Sequence, residues 1–413
     1  MKRKTNRIVR IFNNKMDYMK NYFLSISMLC LLFSGCSSEK KNESSLIEFN
    51  VSASYPEKEI QLDDIADIEY LQLGVYEDFL FSRDPLIITS EKIIFYEFLT
   101  GDVMVYSRDG NPLFKFNRKG NGPEEYTEIT QLIYDETTDE FFVKSFSSGN
   151  IMVYDARGEF NRVIPLPLSS PTQAISGRAS ISATVELANF DPKTLLLFDS
   201  FNNYPFSLIS KEDGSVIKSI EIPKDQDIAT YIMAMQMNSR NEITGVNILR
   251  APANHFVKYN DGYLLTEFSI DTVYFLSSDK KLSPFLVRQP AIQSMDPAII
   301  LNTLVEAGNY EFLLAVTIMD DSGALPQKYL MRDKKTGSIY RQKITFNDYK
   351  GKEVNIVPET IAITQAGKLG LIVFSLTELQ DANSDNKLSG KLKELIDNSD
   401  EDGNNIYMLL HFK

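Results

Sequence analysis

The densest set of groups able to do chemistry in this chain lies between Arg118 and Tyr126 (RKGNGPEEY). Arg118, Lys119, Glu124, Glu125 and Tyr126 bring two cations, two carboxylates and a phenol together, and Gly120, Gly122 and Pro123 impose a sharp, defined loop. Such a loop suits contact with a polar ligand. It equally suits a corner in which Tyr126 packs and Arg118 pairs with Glu124 or Glu125, and the residues by themselves leave both readings open. Acid–base chemistry near neutral pH usually needs histidine, and the chain has two, His255 and His411, in unrelated contexts. A zinc site or a Ser-His-Asp triad therefore lacks its parts. Tryptophan is absent, and neither glycine-rich phosphate signature is present, so no cofactor is expected. Asp381, Asn383 and Asp385 begin like a calcium loop, with oxygen ligands at positions one, three and five. The pattern then fails, with Asn386 where glycine belongs and Leu392 where the closing glutamate belongs. That leaves a weak calcium candidate and no other metal site.

The elements that must position these groups are written as a repeat. KIIFYEFLTGDVMVYSRDG from Lys92 and EFFVKSFSSGNIMVYDARG from Glu140 align without a gap, 48 residues apart. Phe98 falls on Phe146, Gly101 on Gly149, Met104 on Met152, Tyr106 on Tyr154 and Gly110 on Gly158. A strand-and-turn period of about 40–50 residues is the mark of a β-propeller blade. Weaker copies lie at Tyr263–Lys281, where Phe268 and Asp271 take the places of Phe98 and Gly101, at Pro205–Pro223 with Gly214 in the turn, and at Lys328–Phe346 with Gly337 in the turn. A last candidate runs from Glu359 through Phe374 to Ile406–Phe412. The expectation is an all-β, six-bladed propeller of four-stranded antiparallel blades, with a seventh unit left open because 225–257 is irregular. Ile60 to Leu73 is placed either to close the ring as the last blade's missing strand or to open blade one. Pro297–Ala307 and Leu388–Asp397 read as short rim helices, the second inside an acidic loop from Asp381 to Asn405.

The N-terminus reads as a targeting segment. Seven basic residues between Lys2 and Lys20 precede an apolar run, Tyr22 to Phe33, too short to span a bilayer stably. Met16 and Met19 are alternative starts. Ser34 and Gly35 before Cys36 resemble the lipobox of bacterial lipoproteins, with Phe33 where that family usually has leucine. The resemblance implies acylation of Cys36 after removal of residues 1–35, a polar lipidated tether over 36–48 and a propeller domain over 49–413. Cys30 leaves with the leader, so stability must come from the core rather than from a disulfide. The whole chain carries −13 and the mature part −19, from 36 basic and 55 acidic side chains. That balance argues against nucleic acid as a partner.

The G-x-G-P-x-E-Y loop at Gly120–Tyr126, the strand and turn at Ile151–Gly158, the D-T-V-Y run at Asp271–Tyr274 and the ending from Leu392 to Lys413 resemble the six-bladed β-propeller lipoproteins of Bacteroidetes. Glu124 and Ile406 depart from that family's usual glycine and proline. The resemblance implies an exported lipoprotein of uncharacterised molecular role, and no catalytic residues carry over. The expected function is non-enzymatic binding of a protein or glycan partner at the outer membrane, periplasmic or surface-facing, with the membrane reached through lipid on Cys36. The alternative is a carboxylate-based carbohydrate hydrolase or lyase, which needs two carboxyls facing each other across the central channel.

Overall fold

Runs of β-branched and aromatic residues punctuated by polar turns become strands throughout. The computed structural model describes residues 46–413 apart from 75, 77–78, 80–86, 98–99, 146–148, 169–184, 226–230, 238–242, 253, 319–324, 357–368 and 400–402. Within 231–237 and 243–250 it describes the backbone alone. The leader, Cys36 and the repeat partners Phe98 and Phe146 lie outside the described residues.

The chain enters along β1 (Ile47–Asn50), β2 (Glu57–Gln61) and β3 (Ala66–Gln72), with the one-turn helix α1 (Leu62–Ile65) between the last two. Six antiparallel blades follow in order round a ring. Blade one is β4 (Ile87–Ile88), β5 (Lys92–Tyr96), β6 (Asp102–Ser107) and β7 (Pro112–Asn117). Blade two is β8 (Ile129–Asp135), β9 (Glu140–Ser145), β10 (Asn150–Tyr154) and β11 (Phe160–Pro165). Blade three is β12 (Val185–Asp191), β13 (Thr194–Asp199), β14 (Phe206–Ser210) and β15 (Val216–Ser219). A separate hairpin, β16 (Tyr231–Met237) with β17 (Ile243–Arg250), is inserted before blade four. It accounts for the irregular stretch that left a seventh unit open. Blade four is β18 (Phe256–Tyr259), β19 (Gly262–Thr266), β20 (Thr272–Leu276) and β21 (Leu282–Gln289). Blade five is β22 (Ile299–Ala307), β23 (Tyr310–Thr317), β24 (Gln327–Asp333) and β25 (Ile339–Thr345), with the short β26 (Glu353–Val354) against β25. Blade six contains β27 (Leu369–Phe374), β28 (Ile406–Phe412) and, on its outer edge, β3.

The entering chain therefore closes the ring and does more. β1 lies parallel on the outer strand of blade four, β2 lies parallel on the outer strand of blade five, and β3 is antiparallel to β28 as the outer strand of blade six. One segment belts three consecutive blades and covers edges that would otherwise expose unpaired backbone groups. Phe49 and Val51 are fully buried against Val257, Leu264 and Leu286, so the belt is held by apolar packing as well as by the ladder.

One expected element is different. Residues 299–307 form the innermost strand of blade five, not a helix. The run is buried on both faces, so apolar residues fall at helical spacing and at strand spacing alike. β-branched Ile299, Ile300, Thr303 and Val305, and pairing along the whole length of β23, decide for the strand. The second expected helix is present as α3 (Gly390–Asp397), after α2 (Leu376–Ser384), which takes up the first part of the expected acidic loop. Ser375 caps α2 by accepting from the Glu378 amide, and Leu392 and Ile396 bury the inner face of α3.

The repeat has a packing reason. Gly110, Gly158 and Gly214 each sit in the turn between the third and fourth strands with φ of 82°, 77° and 75°. Each also touches the end of the preceding blade's outer strand: Gly110 at Leu71–Leu73, Gly158 at Phe116, Gly214 at Ile164 and Pro165. Lys280 holds the matching turn position in blade four at φ 65°. Tyr106 and Tyr154, equivalent in the repeat, both donate to a carbonyl in the connection leading into their own blade, at Phe79 (3.1 Å) and Glu124 (2.9 Å).

Candidate functional site

The Arg118–Tyr126 loop connects β7 to β8, and most of its chemistry is directed inward. Tyr126 is fully buried, its hydroxyl donating to the Gly101 carbonyl (2.6 Å) and accepting from the Arg118 amide (3.0 Å). Burial pushes its phenol up to about 12. Gly101, at φ 83°, leaves room for the Tyr126 ring where a side chain would collide with it and with Lys119. Arg118 does not pair with Glu124 or Glu125. It reaches across to blade two, donating to the Gly158 carbonyl (2.9 Å) and pairing with Glu159 (2.6 Å). Glu125 accepts from the Gly122 amide (2.7 Å), closing the loop on itself. Lys119, Glu124 and Glu125 remain exposed.

The calcium candidate does not converge. Asp381 and Asn383 are on α2, and Asp385 is its C-cap, so Asn383, two residues from each acid, turns to the opposite side of the helix from them. Asn383 accepts from Lys393 (3.0 Å), and Asp385 pairs with Lys387 (2.8 Å). Among the described residues no group of three His, Cys, Asp or Glu side chains is placed to hold a metal ion. His255 stacks on Phe198 with ring centres 3.6 Å apart, while His411, on blade six, pairs with Glu69.

A different region has a cavity. Each blade's innermost strand runs toward its first turn, and those turns converge at the end of the ring opposite the Arg118–Tyr126 loop. There a cavity of about 440 Å³ is walled by inner strands and first turns of blades one to four. Ile87, Leu132, Ile133, Leu187 and Ala188 give it apolar walls, and Tyr134, Phe190 and Tyr263 add rings. Phe190 and Tyr263 stack with centres 6.0 Å apart and planes inclined by 29°. The size falls within the range of about 300–1,000 Å³ typical of small-molecule sites.

The polar groups of this mouth are almost all held by neighbours. Gln131 bridges the Leu187 backbone, donating to its carbonyl (2.7 Å) and accepting from its amide (3.0 Å). Lys211 is buried beneath, bonded to Asp135 (2.5 Å) and to the Asn189 side chain (2.5 Å). Burial pulls the Lys211 ammonium below its ordinary value, and Asp135 opposes that shift. The Tyr263 hydroxyl donates to the Asn189 carbonyl (2.5 Å). Tyr134 is tied to Asp139 and Lys92, and burial with the neighbouring carboxylate pushes its phenol well above the ordinary range. Glu136 accepts from the amide and hydroxyl of Ser90. At Asp191 burial pushes the carboxyl up, but the nearby Thr194 side chain, the hydrogen bond from the Lys193 amide and the Lys280 charge outweigh it and hold it low.

Lys258 is the exception. It is half-buried, its ammonium 4.6 Å from the centre of the Tyr263 ring, and no carboxylate or carbonyl among the described residues accepts from it. Burial pulls its pKa down, with the Asp261 charge pulling the other way. A larger groove of about 610 Å³ lies on the outer rim between β2, β25 and the start of α3, where Lys343 pairs with Glu59 and Lys387 with Asp385.

None of the mouth residues stands out in the sequence. They come from strands and first turns of four separate blades, between Ile87 and Tyr263, and only ring closure makes them neighbours. The available signal was the recurrence of polar turn residues such as Glu136, Asp191 and Asp261 after each inner strand, which reads equally as solvated turn chemistry.

The chain belongs to the family described as a domain of unknown function, DUF4934, which matches residues 46–411. No curated protein matches the sequence. A Bacteroides fragilis NCTC 9343 protein described as exported has a crystal structure similar to this fold, with TM-score 0.58 and 15% identity, covering 89% of this chain and 100% of that one. A member of the duf4221 family from Bacteroides vulgatus ATCC 8482 is similar at TM-score 0.45 and 10% identity, over 84% of this chain and 97% of its own. The first of these likenesses speaks to the fold.

Proposed function

We propose that this chain is a non-enzymatic, lipid-anchored binding protein of the cell envelope whose ligand enters the central mouth of the propeller. The observation that carries the reading is the mouth cavity itself, walled by four blades and lined by polar groups already fixed in place. Fixed groups bind without an ordering cost. A hydrolase would need a proton-donating carboxyl with a raised pKa. The rim carboxyls here are Glu136 and Asp191, and Asp191 is held in its charged form. The Bacteroides fragilis relative described as exported and the lipobox-like Ser34–Cys36 support an envelope location. Exposed Lys119, Glu124 and Glu125, with Arg118 and Tyr126 shaping their loop, form a second, polar surface at the other end of the ring for a protein partner.

The test is a thermal-shift screen of soluble glycans and metabolites against the purified chain, repeated with Ala188→Phe and Thr137→Tyr, which fill the cavity from its wall and its rim. A hit that both variants lose supports the mouth as the seat. A hit that survives both puts the ligand elsewhere, and conversion of any hit to product overturns the non-enzymatic reading.

A further inference from the structure

We propose that the mouth cavity takes a small ring-shaped molecule bearing a single carboxylate, with Lys258 as the seat of that carboxylate. The inference rests on the mouth being the binding site. An ammonium carries three donors and is strongly hydrated, so holding it half-buried with no acceptor is costly unless something else supplies one. Lys258 is in that position, on the wall of a cavity that has room for a small molecule.

The neighbouring polar groups cannot relieve it. Gln131 is spent on Leu187, Asn189 on Lys211 and Tyr263, Asp191 on Lys193 and Lys280, and Glu136 on Ser90. Asp261, the acid whose charge Lys258 feels, accepts from Ser278. The ammonium's donors are thus available to a ligand, and the ammonium itself sits over the Tyr263 ring, 4.6 Å from its centre, which holds it at the cavity wall.

Charge and shape narrow the ligand. Glu136 and Asp191 are at the same mouth, and the chain carries −13 overall. A multiply charged phosphate would meet more repulsion there than attraction, whereas one carboxylate can pair with Lys258 and keep its distance from both acids. Phe190, Tyr263 and Tyr134 with Leu132, Ile133 and Leu187 offer flat apolar surface to the rest of the molecule. That surface suits either the apolar face of a sugar acid or an aromatic acid.

The experiment is calorimetric titration of the full chain with D-glucuronate and with benzoate, each beside its uncharged counterpart, D-glucose and benzamide, and with inorganic phosphate. The expected result is about tenfold tighter binding of the carboxylate in one of the two pairs, which also identifies the source as sugar or aromatic acid. Lys258→Met should erase that preference and Lys258→Arg should retain it, with both variants melting as cooperatively as the parent. Equal binding of charged and uncharged partners, a preference that survives Lys258→Met, or tighter binding of phosphate overturns the inference while leaving the mouth as the seat. Absence of binding by every probe at millimolar concentration overturns both.

Discussion

Replacing Gly214 with alanine tests what holds one blade against the next. Two separable costs apply. The backbone at Gly214 has φ 75°, which costs an alanine about 1–2 kcal/mol, offset by about 0.4–1 kcal/mol from the reduced freedom of the unfolded chain. The second cost is contact. A methyl here would land on the Pro165 carbonyl oxygen, with Ile164 Cγ2 3.0 Å away, and the oxygen belongs to the backbone of the preceding blade's outer strand. Relieving that collision means separating blades two and three locally, an overpacking cost of about 1–3 kcal/mol. Gly337 supplies the control. It occupies the corresponding turn of blade five at φ 72°, and a methyl there meets nothing within 4 Å. Gly337→Ala should therefore lose under about 1.5 kcal/mol, and Gly214→Ala about 2–4 kcal/mol. Urea unfolding followed by far-ultraviolet circular dichroism measures both, read as shifts of the midpoint at constant slope. Equal losses would refute the reasoning, because they would mean that φ alone explains the glycines and that the blade seam contributes nothing.

The other predictions concern charge. Asp135→Asn should destabilise the chain by about 3–5 kcal/mol, because it leaves Lys211 buried without its counter-ion. Adding Lys211→Met should recover part of that loss in the same unfolding assay, and a double variant weaker than the single would contradict the account. At Glu140 burial raises the carboxyl's pKa, but hydrogen bonds from Arg162 outweigh it and hold it below the usual range. A carboxyl depressed in the folded state contributes stability above its unfolded value of about 4.3 and loses it as pH falls below that. Glu140→Gln should accordingly be less stable than the parent near neutral pH and should show a shallower fall below about pH 4.5, followed as unfolding midpoint against pH.

The repeat at Lys92 and Glu140, the turn glycines and the alternating runs were enough to establish blades and their order, because each blade is a local antiparallel meander whose period is written directly in the chain; whether Ile60–Leu73 closes the ring or opens blade one was decided by the pairing of β3 with β28. The buried face of α3 was legible for the same reason: Leu392 and Ile396 lie within a few residues of each other and need no distant partner to define a side. The strand at Ile299–Ala307 was not legible, since burial on both faces erases the periodicity that separates strand from helix, and the neighbour that decides, β23, acts through space. The partner of Arg118 was not legible, because sequence proximity offers Glu124 and Glu125, while packing of blade on blade delivers Glu159. The belt of β1 and β2 was hidden because parallel edge pairing joins residues about 240–285 positions apart, as in Ile47 with Leu286 and Glu57 with Arg341, and leaves no local mark. The mouth and Lys258 belong to the same class. Short-range periodicity and turn chemistry are properties of neighbouring residues, so the sequence determines them; a cavity exists only once six blades have closed round an axis, so the tertiary structure alone decides which side chains face it.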